Sequence, residues 1–274
     1  MNVIRVGLRC LLAALAIGAI ASSSASAASE YEVRNLPEIG KCTKVATGAG
    51  VYKGAACITV AAPGKGAYRW TPVEPTSAQK FSGGGTEAVL STAGHPTIKC
   101  TVANFTGEWI NPKMATVSVE LQACTNPLGE QCQTVTVNKS EIKTLPLLGE
   151  LGFIKNEVKE GKVMVLVGMD LKPAPPLTEL ATYECTGTEG SAHVTGSVIA
   201  KIKPIDKMTT ESNLVYLVRK TGQQIPEKFQ GEPKDTLSTT FMNGLTSTTG
   251  PSAFALLTES GQNAVPLEIK AKEN

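Results

Sequence analysis

Aromatic side chains make up only 5% of this 274-residue chain, and histidine occurs twice, as His95 and His193. So few rings leave little material for a broad sugar-stacking platform. Neither histidine lies in H-E-x-x-H, no C-x-x-C pair exists, and no G-x-S-x-G occurs. Those absences argue against a zinc site and against the strand-turn-helix nucleophile of the hydrolases. "GAGVYKG" (48–54) resembles a phosphate loop, but its glycines are spaced one residue too far for the dinucleotide fingerprint. It is expected to be a turn between two strands rather than the start of a helix. No cofactor and no metal are expected.

Long apolar runs are also missing. The longest near the start, "CLLAALAIGAI", covers eleven residues, against the roughly 20 that span a bilayer. It follows a short basic region with Arg5 and Arg9 and precedes "ASSSASAA", in which Ala25-Ser26-Ala27 fits an A-x-A cleavage site. This is the pattern of a secretory signal peptide over 1–27. Gly7-Leu8-Arg9 before Cys10 does not match a lipobox, and "EIKAKEN" carries no anchor. Leu36-Pro37-Glu38-Ile39-Gly40 lacks the Thr of a sortase signal. The product is expected to be secreted, or held at the cell envelope by non-covalent contacts, with no transmembrane segment after cleavage.

An excess of charge is the next absence. Of 26 basic and 24 acidic residues, Arg5 and Arg9 leave with the signal peptide, so 24 of each remain. A neutral surface has no electrostatic footprint for phosphate backbones, so nucleic acid is not an expected partner.

What the chain has in quantity is short alternating runs rich in Thr and Val, broken by Gly and Pro. "EAVLST", "TIKCTVA", "ATVSVELQA", "QTVTV" and "VPLEIK" read as strands. "KVMVLVGM" (162–169) is a continuous apolar run and predicts a strand covered on both faces. "TTESNLVYLVRK" (209–220) is the one stretch that reads as helical. The fold class is therefore all-β: an antiparallel sandwich or barrel. A single domain over 28–274 is expected, and the Pro-rich "LKPAPPLTEL" (171–180) marks where it would divide into two lobes.

Six cysteines remain after the signal: Cys42, Cys57, Cys100, Cys124, Cys132 and Cys185. An even number in an exported chain predicts disulfides. Alternation places Cys124 with Glu120 and Gln122, and Cys132 with Thr134, on polar faces. It places Cys100 with Ile98 and Val102, and Cys185 with Ala181 and Tyr183, on apolar ones. Face and proximity together predict 42–57, 124–132 and 100–185.

Residues with chemistry are scattered. "SAHVTGS" offers Ser191, His193 and Ser197, followed by Asp206, as the makings of a Ser-His-Asp triad. The plainer reading is an exposed histidine in a turn. Asp170 with Glu150 or Glu184 would suit a glycosidase pair, though any chain with 24 acidic residues offers such pairs. Trp70 and Trp109 are the candidates for ligand contact. Asn104-Phe105-Thr106 and Asn138-Lys139-Ser140 match the glycosylation sequon. No catalytic residue is assigned.

The segments "EIG-C…YKGA-C-TVA", "IKC…NFTGEW…PK", "ELGFI", "LATYEC", "GSVIAKIKPIDKM" and "QIPEKF-G-PKDTL" resemble those of a group of uncharacterised secreted proteins from actinobacteria. The resemblance implies export and disulfides and brings no activity. The expected function is a secreted or envelope-associated, non-enzymatic β protein with a structural, adhesive or binding role toward an envelope component, glycan or protein. The alternatives are a secreted hydrolase of polysaccharide, ester or peptide, and a secreted inhibitor presenting "CTNPLGEQC" as a disulfide-closed loop.

Overall fold

The computed structural model describes residues 36–272 apart from 136–139, 188–189, 220–222, 227 and 234–235, and omits the side chains of 257–259. The expected signal peptide, 1–27, and the sequon at Asn138 lie outside the described residues. Residues 36–274 form one compact unit.

The strands are β1 (Glu38–Lys44), β2 (Tyr68–Pro72), β3 (Gln79–Thr92), β4 (Ile98–Trp109), β5 (Met114–Gln122), β6 (Cys132–Gln133) and β7 (Glu141–Lys143). They continue with β8 (Leu147–Lys159), β9 (Lys162–Pro173), β10 (Glu179–Cys185), β11 (Ser191–Thr195), β12 (Val198–Lys203) and β13 (Thr209–Val215). The last are β14 (Leu217–Val218), β15 (Gln224–Ile225), β16 (Lys228–Phe229), β17 (Glu232–Pro233), β18 (Ser238–Asn243) and β19 (Thr246–Lys270). Among the described residues the only helical turn is Pro75–Ser77.

Strands β3, β4, β5, β8, β9, β12, β13 and β19 pair antiparallel in that order, and β19 pairs back onto β3. The result is a closed eight-stranded barrel whose staves follow one another in the sequence. The chain leaves the barrel between these staves, and β6, β10, β11 and β18 assemble into a second sheet. That sheet joins the barrel through the start of β19, where Thr246 to Pro251 pair with β18. Residues 174–178 are the step from β9 in the barrel to β10 in the outer sheet.

Side chains crowd inside a closed barrel, and β3 carries Gly83-Gly84-Gly85 where the rings of its neighbours come close. Phe81 faces Gly107 and Gly83 faces Phe105 across the β3–β4 pair. A β-carbon on Gly107 would lie 2.2 Å from the Phe81 ring, and one on Gly83 would lie 2.2 Å from Phe105 and from the Ser260 carbonyl oxygen. Each glycine thus makes room for the ring opposite, and Trp109 packs on Phe81 at 5.6 Å between ring centroids.

Outside the barrel, β1 pairs with β2 and with the end of β19. Cys42, Tyr52 and Cys57 form a small core there, against which Tyr68, Trp70 and Met208 pack.

Three expectations change. Within the expected helix at 209–220, the described residues 209–218 are extended instead: β13 pairs with both β12 and β19, Tyr216 bridges to Leu256, and Leu214 and Tyr216 are buried at strand spacing. "KVMVLVGM" is buried only in its second half; β8 and β9 run past the barrel as a hairpin turning at Glu160–Gly161, with Val158 and Val163 exposed. "QTVTV" keeps only Gln133 in a strand, Val135 is exposed, and its end lies outside the described residues.

The disulfides are Cys42–Cys57, Cys100–Cys124 and Cys132–Cys185. The first matches the expectation, and the other two correct it. Ala123 adopts a positive φ of 51°. That one residue turns outward, reverses the alternation begun in β5, and points Cys124 inward to zero exposure. Cys132 is equally buried and sits directly opposite Cys185 in the β6–β10 pair. Both bonds join neighbouring strands face to face.

Candidate functional site

The barrel interior holds an apolar cavity of about 100 Å³. Phe105, Val117, Leu147 and Leu171 line it from the barrel, and Ala181 and Val194 close it from the inner face of the outer sheet. Alternation explains much of the wall: Val117, Val119 and Leu121 of β5 and Met169 and Leu171 of β9 face in at every second residue, while in β4 the lining changes parity between Cys100 and Ala103. Tyr183 also lines the cavity; its hydroxyl is buried without a hydrogen-bond partner among the described residues, and desolvation pushes its pKa upward.

Tyr183 and Ile98 separate this cavity from a second depression of about 220 Å³. Its walls include Pro96, Ala192, Phe241 and Met242, with Ser191 and Glu184 at its edge. His95 stacks on Phe241 at 3.8 Å between centroids, and its Nε2 meets Thr248 Oγ1 at 3.1 Å.

The outer face of the same sheet assembles a polar chain that the sequence reading only half anticipates. Ser191 Oγ lies 3.0 Å from His193 Nε2, and His193 Nδ1 lies 2.9 Å from Glu179 Oε1. Ser191 and His193 share a face because they are two apart on β11. Glu179 arrives from β10 through a register shift between Glu179 and Ala181. His193 is therefore in a strand, not a turn. The acid is Glu179 rather than Asp206, whose Oδ1 instead accepts the backbone N–H groups of Ala271 and Lys272. Ser197 is buried beyond the end of β11.

The proposed carboxylate pairs fare differently. Glu150 and Asp170 face each other across β8 and β9, but Glu150 is paired with Lys172 at 2.7 Å and Asp170 is buried. Glu184 faces Gln133 in the outer sheet. Trp109 is buried against Phe81, with Nε1 unpartnered among the described residues. Trp70 is half-buried and donates from Nε1 to Glu38 Oε1 at 2.5 Å.

A further acidic group went unsuspected. Glu268 is 1% exposed, and neither carboxyl oxygen has a hydrogen-bond partner among the described residues. Burial, reinforced by the nearby Asp206 charge and only partly offset by Lys270, pushes its pKa up to about 8. Lys270 is itself buried and donates to Tyr52 Oη at 2.5 Å. Among the described residues no cluster of three or more His, Cys, Asp or Glu could hold a metal ion.

The loop 124–132 is not closed by its own disulfide. Each end is bonded to a different strand, and the Asn126 side-chain oxygen accepts the N–H groups of Leu128 and Glu130 to form a tight turn. Leu128 stands exposed at its tip.

No known family, curated protein or solved structure matches this chain. No helix among the described residues is long and apolar enough to cross a membrane, and three disulfides fit an oxidising compartment.

Proposed function

We propose that the protein is exported through the signal peptide at 1–27, works outside the cytoplasm or at the envelope, and has a binding role. Its ligand is a small apolar molecule held inside the barrel. The reading also takes the chain as one of the secreted actinobacterial proteins whose motifs it resembles. The observation that supports the ligand most is the cavity of about 100 Å³, lined almost entirely by apolar side chains.

Magnitude matters here. At about 24 cal/mol per Å³, an unfilled space of this size costs about 2 kcal/mol, a large fraction of a net stability of about 5–15 kcal/mol. A ligand that fills the space removes that cost without disturbing a hydrogen bond. Apolar cavities of similar scale stay dry and accept benzene or xenon.

The test is thermal unfolding with increasing benzene, together with xenon-129 NMR. The midpoint should rise with benzene concentration, and bound xenon should exchange with free xenon. An unchanged midpoint at benzene saturation together with no xenon uptake would refute the reading.

A further inference from the structure

We propose that Ser191 is an activated nucleophile, with His193 as its base and Glu179 as the group that positions the histidine. The outer sheet then carries an acyl-transfer site for small uncharged esters. The order of contacts is what distinguishes it. A carboxylate only accepts hydrogen bonds, so Glu179 Oε1 at 2.9 Å places the ring proton on Nδ1. That tautomer leaves the Nε2 lone pair free to receive the Ser191 proton across 3.0 Å. A hydroxyl, a base and a group that orients the base, linked in this sequence, are the elements of nucleophilic catalysis.

The same face shows what an ordinary ladder contact looks like. Thr195 meets Ser238 at 3.0 Å, and Thr240 meets Thr249 at 2.8 Å. Those pairs join hydroxyl to hydroxyl and contain no base. The histidine and glutamate side chains keep 26% and 32% of their surface exposed, so a substrate can reach them. The 220 Å³ depression opens on the opposite face, where Ala192 and Phe241 point; on this face the exposed Met242 stands directly opposite Ser191 and offers apolar contact to a short acyl chain. Glu179 and Glu184 beside it disfavour an anionic substrate.

In the first step Ser191 Oγ adds to the ester carbonyl carbon while its proton moves to His193 Nε2. The bond from that carbon to the alcohol oxygen then breaks, and the alcohol leaves with the proton from Nε2. Water, giving a proton to the same nitrogen, next adds to the acyl carbon. The carboxylic acid departs and Ser191 regains its hydrogen. This inference is independent of the barrel ligand, and the benzene and xenon experiments do not bear on it.

The experiment treats the full chain with an alkyl fluorophosphonate and follows intact mass, peptide mapping and p-nitrophenyl butyrate hydrolysis in parallel. We expect a single adduct on Ser191 and none in Ser191→Ala. Labelling should fall about 10²-fold or more in His193→Ala. Glu179→Gln should slow labelling and alter its pH profile while the unfolding midpoint stays within a degree or two. Absence of an adduct at Ser191, or equal labelling in folded His193→Ala, would overturn the proposal.

Discussion

Cys100 and Cys124 face each other because the bridge between Lys99 and Thr125 brings their strands into antiparallel register. Hydrogen bonds run both ways across it, from Lys99 N to Thr125 O at 2.9 Å and from Thr125 N to Lys99 O at 2.8 Å. Peptide mapping under non-reducing conditions should recover the fragments of Cys100 and Cys124 joined, and those of Cys132 and Cys185 joined. A fragment linking Cys124 to Cys132 would contradict the structure.

The Cys132–Cys185 bond closes the longest loop, with a sequence separation of 53. Replacing both cysteines by alanine should cost about 4 kcal/mol if restriction of the unfolded chain dominates. Urea unfolding of the double variant would measure it.

Why the sequence misled at these cysteines is physical. Alternation is reliable while a strand stays regular, and it locates β4 and β5 well. It fails at Ala123, whose positive φ consumes one residue and exchanges the faces. Alanine carries no signal for that conformation, unlike glycine or asparagine. The Glu179 contact with His193 was hidden for the same reason, since it depends on a register shift in β10. Ser191 and His193 were legible because their two-residue spacing is local. The helical reading of 209–220 failed because pairing with two strands outweighed an apolar pattern compatible with either structure.

Glu268 should make stability depend on pH. Its folded pKa of about 8 lies above the ordinary 4.5, so the folded state holds the proton that the unfolded state releases. The contribution is fully present below about 4.5 and is lost as pH rises toward 8. The loss is at most about 1.4 kcal/mol per pH unit. Glu268→Gln should flatten this part of the curve in urea titrations between those limits. An identical slope in both proteins would show that Glu268 ionises freely when folded.

Gly83 leaves space where Phe105 and the Ser260 backbone converge. Because the backbone oxygen is not free to swing aside, Gly83→Ala should destabilise by about 1–3 kcal/mol through overpacking. Gly129, whose added β-carbon meets no atom within 4 Å but whose φ is 79°, provides a comparison in which only backbone strain acts. Thermal unfolding of both variants separates crowding from conformation.

Leu171 is 3% exposed and borders the barrel cavity. Leu171→Ala should cost about 2–5 kcal/mol and enlarge the space. The midpoint gained per unit of benzene should then exceed that of the parent protein.

β19 touches β1, β3, β13 and β18 along its 25 residues. It is also the last stave to be made. Every earlier stave must wait with an open seam until the ribosome has added it, so the nascent chain spends nearly its whole synthesis with two unmatched edges. A protein built this way is most open to edge-to-edge pairing with other chains in the interval before the closing stave arrives.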